Sequence, residues 1–314
     1  MSYALSGKRI WIAGHRGMVG SALVRQLQRE DCIILTAGRD VLDLRDSAAV
    51  RGWMGHNRPQ AVILAAAKVG GIVANDTWPA NFLYDNLAIE NAIIHGAFET
   101  EVEKLLFLGS SCIYPKFALQ PITEGALLTG ALEPTNESYA IAKIVGIKLC
   151  QAYRRQYGRD FISAMPTNLY GPGDNFDLTS SHVIPALMRK AHEAKISGAR
   201  SLTIWGTGTP RREFLHVDDC AAALVFLLKN YSGDSHVNVG SGTDITIDEL
   251  AQLVMDVVGF SGTLKHDTGK PDGTPRKLMS NDRLAAMGWS PEISLEDGLK
   301  STYQWFLRHR AVIG

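Results

Sequence analysis

Residues 10–20 read IWIAGHRGMVG, an apolar run followed by three glycines that are each three positions apart. Ile10–Ala13 is apolar at every position, as expected of a parallel strand whose two faces are both covered. Gly14 permits a tight turn, Gly17 lets the backbone approach a pyrophosphate, and Gly20 allows a helix to pack closely on the strand. The stretch predicts a strand, a dinucleotide-binding turn and a helix, although a glycine-rich turn without a ligand stays open on the string alone.

Short apolar runs alternate with segments of helical spacing through the first half of the chain. Besides Ile10–Ala13, the predicted buried strands are Cys32–Leu35, Ala61–Ala66, Leu105–Leu108 and Phe161–Met165. Helical spacing is clear in Gly17–Arg29 and in Ser138–Tyr157. Strands and helices in this alternating order predict an α/β fold, a Rossmann-type doubly wound parallel sheet.

The texture of the chain changes after Met165, where glycine and proline become frequent. We expect residues 1–166 to form a dinucleotide-binding Rossmann domain. Residues 167–314 should form mainly a smaller α/β lobe that binds the substrate, with a segment near 213–238 returning to the sheet. The chain has no low-complexity linker, so the two parts should pack as one unit.

The composition excludes several classes of protein. The 314 residues are 46% hydrophobic and 20% charged, which is ordinary globular usage and excludes a disordered chain or a coiled coil. Lys plus Arg total 32 and Asp plus Glu total 32, so the net charge is zero and no nucleic-acid partner is expected. An anionic ligand must therefore be held by a local cluster of positive groups.

The cysteine, histidine and apolar patterns indicate a cytoplasmic protein without a metal. The four cysteines form no Cys-x-x-Cys pair, which favours a reducing compartment, and the nine histidines have no metal-ligand spacing. Residues 1–10 lack the apolar core of a secretory signal. No apolar run approaches the ~20 residues that a membrane helix needs, so no membrane partner is expected.

The residues that follow the second predicted strand bear on which nicotinamide cofactor would fit. NAD sites usually place an acid there to hold the ribose 2′-hydroxyl. Residues 35–39 read LTAGR, with no acid before Asp40. Arg16 and Arg39 could instead hold a 2′-phosphate through charge-assisted hydrogen bonds. This pattern favours NADP(H), with Asp40 as the rival feature.

Tyr139 and Lys143 have the spacing that puts a phenol and an ammonium on one helix face. The neighbouring cation is expected to lower the pKa of Tyr139 from its ordinary value near ~10, so that the phenol can exchange a proton with a carbonyl. Ser110 follows a predicted strand and would lie at the carboxyl edge of the sheet, where ligands bind. Cys112 and His182 are ambiguous by themselves, since each residue type is often a satisfied structural side chain.

Together these features resemble the extended short-chain dehydrogenase/reductase family, whose members modify nucleotide sugars, and the resemblance covers essentially the whole chain. Its most specific stretches are Ala13–Gly20, Ala65–Gly71, Leu108–Pro115, Pro166–Pro172 and Lys270–Lys277. The resemblance implies an NADPH-dependent enzyme that epimerises a GDP-linked 4-keto-6-deoxy sugar at C3 and C5 and then reduces its C4 ketone. It also implies a homodimer, paired through the helices near residues 81–98 and 138–157.

The resemblance implies a role for each of five catalytic residues. Ser110, Tyr139 and Lys143 would form the hydride-transfer triad, with Tyr139 donating a proton to the C4 oxygen. Cys112 would remove a proton from one face of the sugar, and His182 would return one from the other. The hydrogen bonds of Ser110 and Tyr139 would also stabilise the enolate oxygen.

Further residues are implied to hold the two ligands. The predicted cofactor residues are Gly14, His15, Arg16, Gly17, Met18, Val19, Gly20, Arg39, Leu44, Leu108, Gly109, Ser111, Lys143, Pro166, Thr167, Asn168, Leu169 and His182. The predicted nucleotide-sugar residues are Lys190, Trp205, Arg212 and Asp272.

Other functions stay open beside this one. A 4,6-dehydratase of the same family would need a carboxylate pair after Ser110, where this chain has Ser-Cys-Ile. A 4-epimerase would need neither Cys112 nor His182. A non-catalytic NADP sensor built on the same sheet would not need Ser110, Tyr139 and Lys143 together.

Overall fold

The computed structural model describes residues 2–270 and 272–313. Three residues lie outside the described ones: Met1 and Gly314, which are the outer bounds of the two predicted domains, and Pro271 of the Lys270–Lys277 stretch.

Strands and helices alternate through the first half of the chain. The elements are β1 (Arg9–Ala13), α1 (Met18–Leu27), β2 (Ile33–Leu35), α2 (Ser47–Asn57), β3 (Ala61–Leu64), α3 (Ile72–Thr77), α4 (Pro79–Glu99), β4 (Lys104–Leu108), α5 (Glu137–Tyr157) and β5 (Asp160–Pro166). Short 3-10 turns cover Ser111–Ile113, Glu124–Ala126 and Pro134–Asn136. The five predicted strands and both predicted helices are thus present, with ends that differ by one to two residues.

The second half of the chain combines strands of two to six residues with helices. The elements are β6 (Asn168–Tyr170), α6 (Val183–Ser197), β7 (Ser201–Trp205), β8 (Arg211–His216), α7 (Val217–Asn230), β9 (Val237–Val239), β10 (Asp244–Thr246), α8 (Ile247–Val258), β11 (Thr263–Asp267), β12 (Arg276–Lys277), α9 (Asp282–Ala286) and α10 (Leu295–Ile313). Gly158, Gly198 and Gly259 end α5, α6 and α8 in the left-handed conformation, which glycine adopts without steric cost.

The main sheet has six parallel strands in the order β2-β1-β3-β4-β5-β9. Helices cover both of its faces. Ile10 and Ile12 of β1 pack with α1 and α7, whereas Trp11 and Ala13 pack in the core formed with α2, α4 and α5. This alternation explains the continuous apolar runs in the strands and confirms the doubly wound α/β fold. β2 and β3 lie on opposite sides of β1, so the strand order reverses there and a crevice opens beside the carboxyl end of β1.

A second, smaller unit contains the remaining strands. β8 pairs with β6, β10 and β12, and β7 pairs in parallel with β11. Helices α6, α8 and α10 close a separate apolar core around Phe176, Met188 and Val254. Within the returning segment, α7 packs on α1 and β9 joins the main sheet beside β5, while Glu213–His216 belongs to the smaller sheet. The division of the chain at residue 166 stays a prediction.

Candidate active site

The glycine turn is shaped for a close ligand. Gly14 has φ of +95°, and a Cβ there would lie 2.7 Å from the backbone nitrogen of Ala66. A Cβ on Gly20 would overlap the carbonyl oxygen of Gly14. Gly17 caps α1 with no side-chain hydrogen bond, so the first amides of the helix are available to an anion. The turn therefore has the room and the donors that a pyrophosphate requires.

Arg16 and Asp40, the charged residues that bear on the predicted cofactor, lie in the loops after β1 and β2. Arg16 Nη1 lies 3.0 Å from Asp40 Oδ1, and both side chains are about two-thirds exposed. A Cβ on Gly38 would lie 2.6 Å from the guanidinium carbon of Arg16, so Arg16 rests against the tip of β2. Asp40, the rival feature in the sequence, is thereby already paired with a cation.

The remaining predicted cofactor residues lie at the ends of β4 and β5 or in the segments that follow β1, β2, β4 and β5. Leu108 is the last residue of β4, and Gly109 follows it so closely against β5 that a Cβ would overlap the Met165 side chain. Ser111 is buried, and Leu44 packs at the border of the core on the α2 face. The other members are His15 in the glycine turn, Met18 and Val19 at the start of α1, Pro166 at the end of β5, and Thr167, Asn168 and Leu169 after it.

The predicted triad is brought together by β4 and α5. Ser110 begins the 3-10 turn after β4, where its hydroxyl accepts a hydrogen bond from the Cys112 amide at 3.3 Å. Ser110 is also close enough to Tyr139 for its hydroxyl to lower the pKa of the phenol. Lys143, one turn after Tyr139 on α5, holds its ammonium 5.8 Å from the centre of the Tyr139 ring. Serine, phenol and ammonium therefore form one cluster.

The expected effect of the ammonium on Tyr139 is wrong. Burial raises the pKa of Tyr139, with smaller contributions from Cys112 and Glu90, and only the hydrogen bond from Ser110 lowers it. The reason is that Lys143 pairs with the buried carboxylate of Glu90 at 3.0 Å. Glu90 therefore compensates part of the positive charge that lies 5.8 Å from the centre of the Tyr139 ring. A raised pKa keeps Tyr139 protonated at neutral pH, which suits a proton donor.

Cys112 has two neighbours that the sequence analysis missed. Asn136 Nδ2 lies 3.5 Å from its Sγ, and Lys277 Nζ lies 3.9 Å from the same atom. Both groups are hydrogen-bond donors that face the sulfur. Asn136 ends the 3-10 turn before α5, and Lys277 lies on β12, so the thiol is contacted from two separate parts of the chain.

His182 is placed at the start of a helix. It is the residue before α6, and its ring is accessible to solvent. Partial desolvation lowers its pKa. Residues 180–181, just before it, pack on Gly71.

The segment after β5 is held by Glu213, to which the sequence patterns assigned no role. Asn168 donates from its amide to the Glu213 carbonyl oxygen at 2.8 Å, and the Thr167 hydroxyl lies 3.5 Å from that oxygen. The buried Glu213 carboxylate accepts from the amides of Gly242 and Met279. Burial raises the pKa of this carboxyl. Pro166–Leu169 is consequently fixed between the two sheets.

The predicted nucleotide-sugar residues gather at the mouth of the smaller lobe. Lys190 and Lys270 place their ammonium groups 5.6 and 5.3 Å from the ring centre of Trp205, which is 54% exposed. Asp272 accepts from the amide and hydroxyl of Thr207, so it ties this loop to the turn after Trp205. A Cβ on Gly273 would lie 3.5 Å from Arg212, so that guanidinium reaches the same loop.

Two absences concern the described residues only. Residues 2–270 and 272–313 contain no group of three or more histidine, cysteine or acidic side chains placed to hold a metal ion. Within the same ranges, no helix has both the length and the apolar character needed to cross a membrane.

Comparisons with known proteins agree on one family. The profile of the NAD dependent epimerase/dehydratase family matches residues 10–240. The chain is 63% identical to the GDP-L-fucose synthase of Sinorhizobium fredii (strain NBRC 101917 / NGR234), and the match covers 98% of both proteins. A crystal structure of a GDP-L-fucose synthetase from Naegleria fowleri bound to NADP superimposes with a TM-score of 0.91 at 30% identity, covering 99% of this chain and 96% of that one. The GDP-6-OMe-4-keto-L-xylo-heptose reductase of C. jejuni superimposes with a TM-score of 0.92 at 36% identity, covering 98% and 100%.

Proposed function

Since the chain belongs to the NAD dependent epimerase/dehydratase family, and within it to the GDP-L-fucose synthases, we propose that its cleft converts GDP-4-keto-6-deoxy-D-mannose to GDP-L-fucose with NADPH. The conversion inverts C3 and C5 of the sugar and then reduces the C4 ketone. The observation that carries the proposal is the position of Cys112, two residues after Ser110, where its amide donates a hydrogen bond to the Ser110 hydroxyl at 3.3 Å. A thiol and a proton-donating phenol in one cluster suit a site that both epimerises and reduces.

The glycine turn and its surroundings fit the cofactor. The uncapped start of α1 and the space at Gly14 and Gly20 suit a pyrophosphate, and Arg16 with Arg39 suits a 2′-phosphate. When bound, NADPH supplies the hydride that reduces C4. Together with the rest of the predicted cofactor set, these residues would fix the nicotinamide end beside Ser110 and Tyr139.

In the reduction, Tyr139 donates its phenolic proton to the C4 oxygen as that oxygen gains negative charge. Ser110 donates a hydrogen bond to the same oxygen and orients the ketone. Lys143 supports Tyr139 from one turn further along α5. The products of the step are the C4 alcohol and a Tyr139 phenolate that solvent protons restore.

In the epimerisation, the C4 ketone makes the C3 and C5 protons acidic because the carbanion becomes an enolate. Cys112 as thiolate takes a proton from one face, with Asn136 and Lys277 stabilising the sulfur charge. His182 returns a proton to the opposite face, which inverts the carbon. Ser110 and Tyr139 hold the enolate oxygen through hydrogen bonds while the carbon is planar.

The GDP part of the substrate would bind at the mouth of the smaller lobe. The exposed face of Trp205 offers a stacking surface for guanine, and Arg212 offers a planar donor for the diphosphate. Lys190 adds a second positive charge nearby. Asp272 would hold its own loop in place there by accepting a hydrogen bond from the Thr207 amide.

We also propose a homodimer in the cytoplasm. Ile141 and Val145, one turn apart on α5, are 40% and 37% exposed, and Tyr84 on α4 is 71% exposed. Apolar side chains on the outer surface of two packed helices support pairing of two copies through α4 and α5. The four cysteines are all free thiols, which supports a reducing compartment.

Separate measurement of the two half-reactions tests the proposal. Uptake of deuterium at C3 and C5 reports epimerisation, and oxidation of NADPH reports reduction. Tyr139→Phe should lose roughly a hundredfold or more in reduction, since it removes the transferred proton, while NADPH binding persists. Cys112→Ser should lose deuterium uptake instead. Equal loss of both half-reactions in both variants, or unchanged rates, would contradict the assigned roles.

A further inference from the structure

Glu90 is a buried carboxylate in the middle of α4, on a helix that contributes none of the catalytic or ligand-binding residues assigned above. Its side chain is 1% exposed, and Ile93 and Ile94 on the next turn are core residues. Burial raises the pKa of Glu90, and the nearby ammonium of Lys143 opposes that rise. A carboxylate in such surroundings is strongly unfavourable unless a positive group compensates it.

The partner of Glu90 is the ammonium of the proposed hydride-transfer triad. Glu90 Oε1 lies 3.0 Å from Lys143 Nζ, and Lys143 is itself only 2% exposed. Within residues 2–270 and 272–313, neither carboxylate oxygen has another partner in hydrogen-bond range. Lys143 Nζ also donates to the carbonyl oxygen of Leu108 at 3.2 Å. The ammonium therefore joins α4, α5 and the end of β4, two residues before Ser110.

The surroundings hold this pair in one arrangement. Gly146 on α5 leaves room for the carboxylate, since a Cβ there would lie 2.9 Å from Glu90 Oε2 and would overlap the Phe107 ring. Asn86, one turn before Glu90, exchanges two hydrogen bonds with the backbone of Lys68 and so fixes the rotation of α4. The carboxylate cannot swing away without breaking these contacts.

We infer that Glu90 is a positioning residue for the reduction: its carboxylate fixes the Lys143 ammonium behind Tyr139. A displaced ammonium would change the field at the phenol during proton transfer, whereas the Cys112 thiol has its own contacts, with Asn136 and Lys277. The inference deepens the proposed function, because only the reduction transfers the Tyr139 proton, whereas in the epimerisation the phenol serves as a hydrogen-bond donor to the enolate oxygen. Glu90 would matter for the first and little for the second.

The test is Glu90→Gln, which keeps the size of the side chain and removes its charge. Both half-reactions are measured in the same preparation and normalised to the NADP-binding sites that it contains. We expect reduction to slow roughly ten- to a hundredfold, the effect of a displaced catalytic group, and deuterium uptake at C3 and C5 to change less than about threefold. Glu90→Asp, which keeps the charge on a shorter side chain, should recover part of the reduction rate. Glu99→Gln, a carboxylate at the surface end of the same helix, is the matched control and should behave like the unaltered protein.

Two results would overturn the inference. One is an unchanged rate of reduction in Glu90→Gln. The other is an equal loss of reduction and deuterium uptake, which would indicate that Glu90 only stabilises the fold. If Glu90→Gln fails to fold, Glu90→Asp decides: reduction and uptake lost in equal proportion would again refute the positioning role. Failure of the proposed function would look different, because the unaltered protein itself would then carry out neither half-reaction.

Discussion

Replacement of Arg16 by alanine gives a direct measure of how the protein distinguishes NADPH from NADH. Arg16 pairs with Asp40 at 3.0 Å, and both side chains are about two-thirds exposed. An exposed pair of this kind contributes only about 0.2–1 kcal/mol, so turning Arg16 toward a 2′-phosphate costs little. A charge-assisted hydrogen bond to that phosphate contributes about 1.5–3 kcal/mol. The net loss in Arg16→Ala is thus about 1–2 kcal/mol, or roughly a five- to thirtyfold higher Kd for NADPH.

The prediction has an internal counterpart of opposite sign. Asp40→Asn removes the competing carboxylate from Arg16, so NADPH should bind roughly two- to fivefold more tightly. Neither variant should change the Kd for NADH by more than about twofold, because NADH has no 2′-phosphate. Arg39→Ala should resemble Arg16→Ala.

The assay is a titration of each protein with NADPH and with NADH, followed by cofactor fluorescence at low and at moderate ionic strength. Arg51→Ala is the control, because Arg51 is an exposed arginine of α2 that pairs with Glu99 of α4. Added salt should shrink the difference between the unaltered protein and Arg16→Ala, because exposed charges are screened. Equal weakening of NADPH and NADH in Arg16→Ala would refute the reasoning.

Two further predictions concern Lys277, which contacts Cys112, and Asp174, a buried carboxyl. Lys277→Met removes the cation that lies 3.9 Å from the Cys112 sulfur, and it should slow deuterium uptake roughly tenfold while NADPH binding stays unchanged. Lys265→Met, at an exposed lysine, is the control and should have no effect. An unchanged uptake rate in Lys277→Met would exclude the contact from the mechanism. Burial raises the pKa of Asp174 from 3.8 to about 7, so folding takes up a proton and the free energy of unfolding falls as the pH rises from about 4 through 7. Asp174→Asn removes that loss, which is at most about 4 kcal/mol, and should be more stable than the unaltered protein at pH 8 but not at pH 4. Thermal unfolding of both proteins at the two pH values checks this, and a difference independent of pH would contradict it.

The fold was predictable because its signals are local. The continuous apolar run of β1, the glycines that follow it and the helical spacing of α5 each lie within one short segment. Tight steric demands at Gly14 and Gly20 leave few alternatives to glycine, so the turn is readable from the residue types themselves. The positions of Ser110 and Tyr139 were predictable for the same reason, since Ser110 follows β4 and Tyr139 lies in the first turn of α5.

The supporting residues of the site could not be predicted in this way. Lys277 contacts Cys112 across 165 positions of sequence, and Glu90 reaches Lys143 from a different helix, so no local spacing connects either pair. A lysine on a short strand and a glutamate in a helix also have ordinary structural explanations. The wrong prediction for the pKa of Tyr139 has the same origin. The helix spacing predicts the position of the Lys143 ammonium, but the carboxylate that pairs with it comes from α4.

The most direct test of the central claim is a single reaction of the purified protein with NADPH and GDP-4-keto-6-deoxy-D-mannose in deuterated water, with the sugar product identified by NMR. Our account predicts one NADPH oxidised for each GDP-L-fucose formed, with deuterium at both C3 and C5. A C4 alcohol without deuterium at these carbons would show a reductase that does not epimerise. No NADPH oxidation, in a protein that binds NADP, would contradict the account altogether.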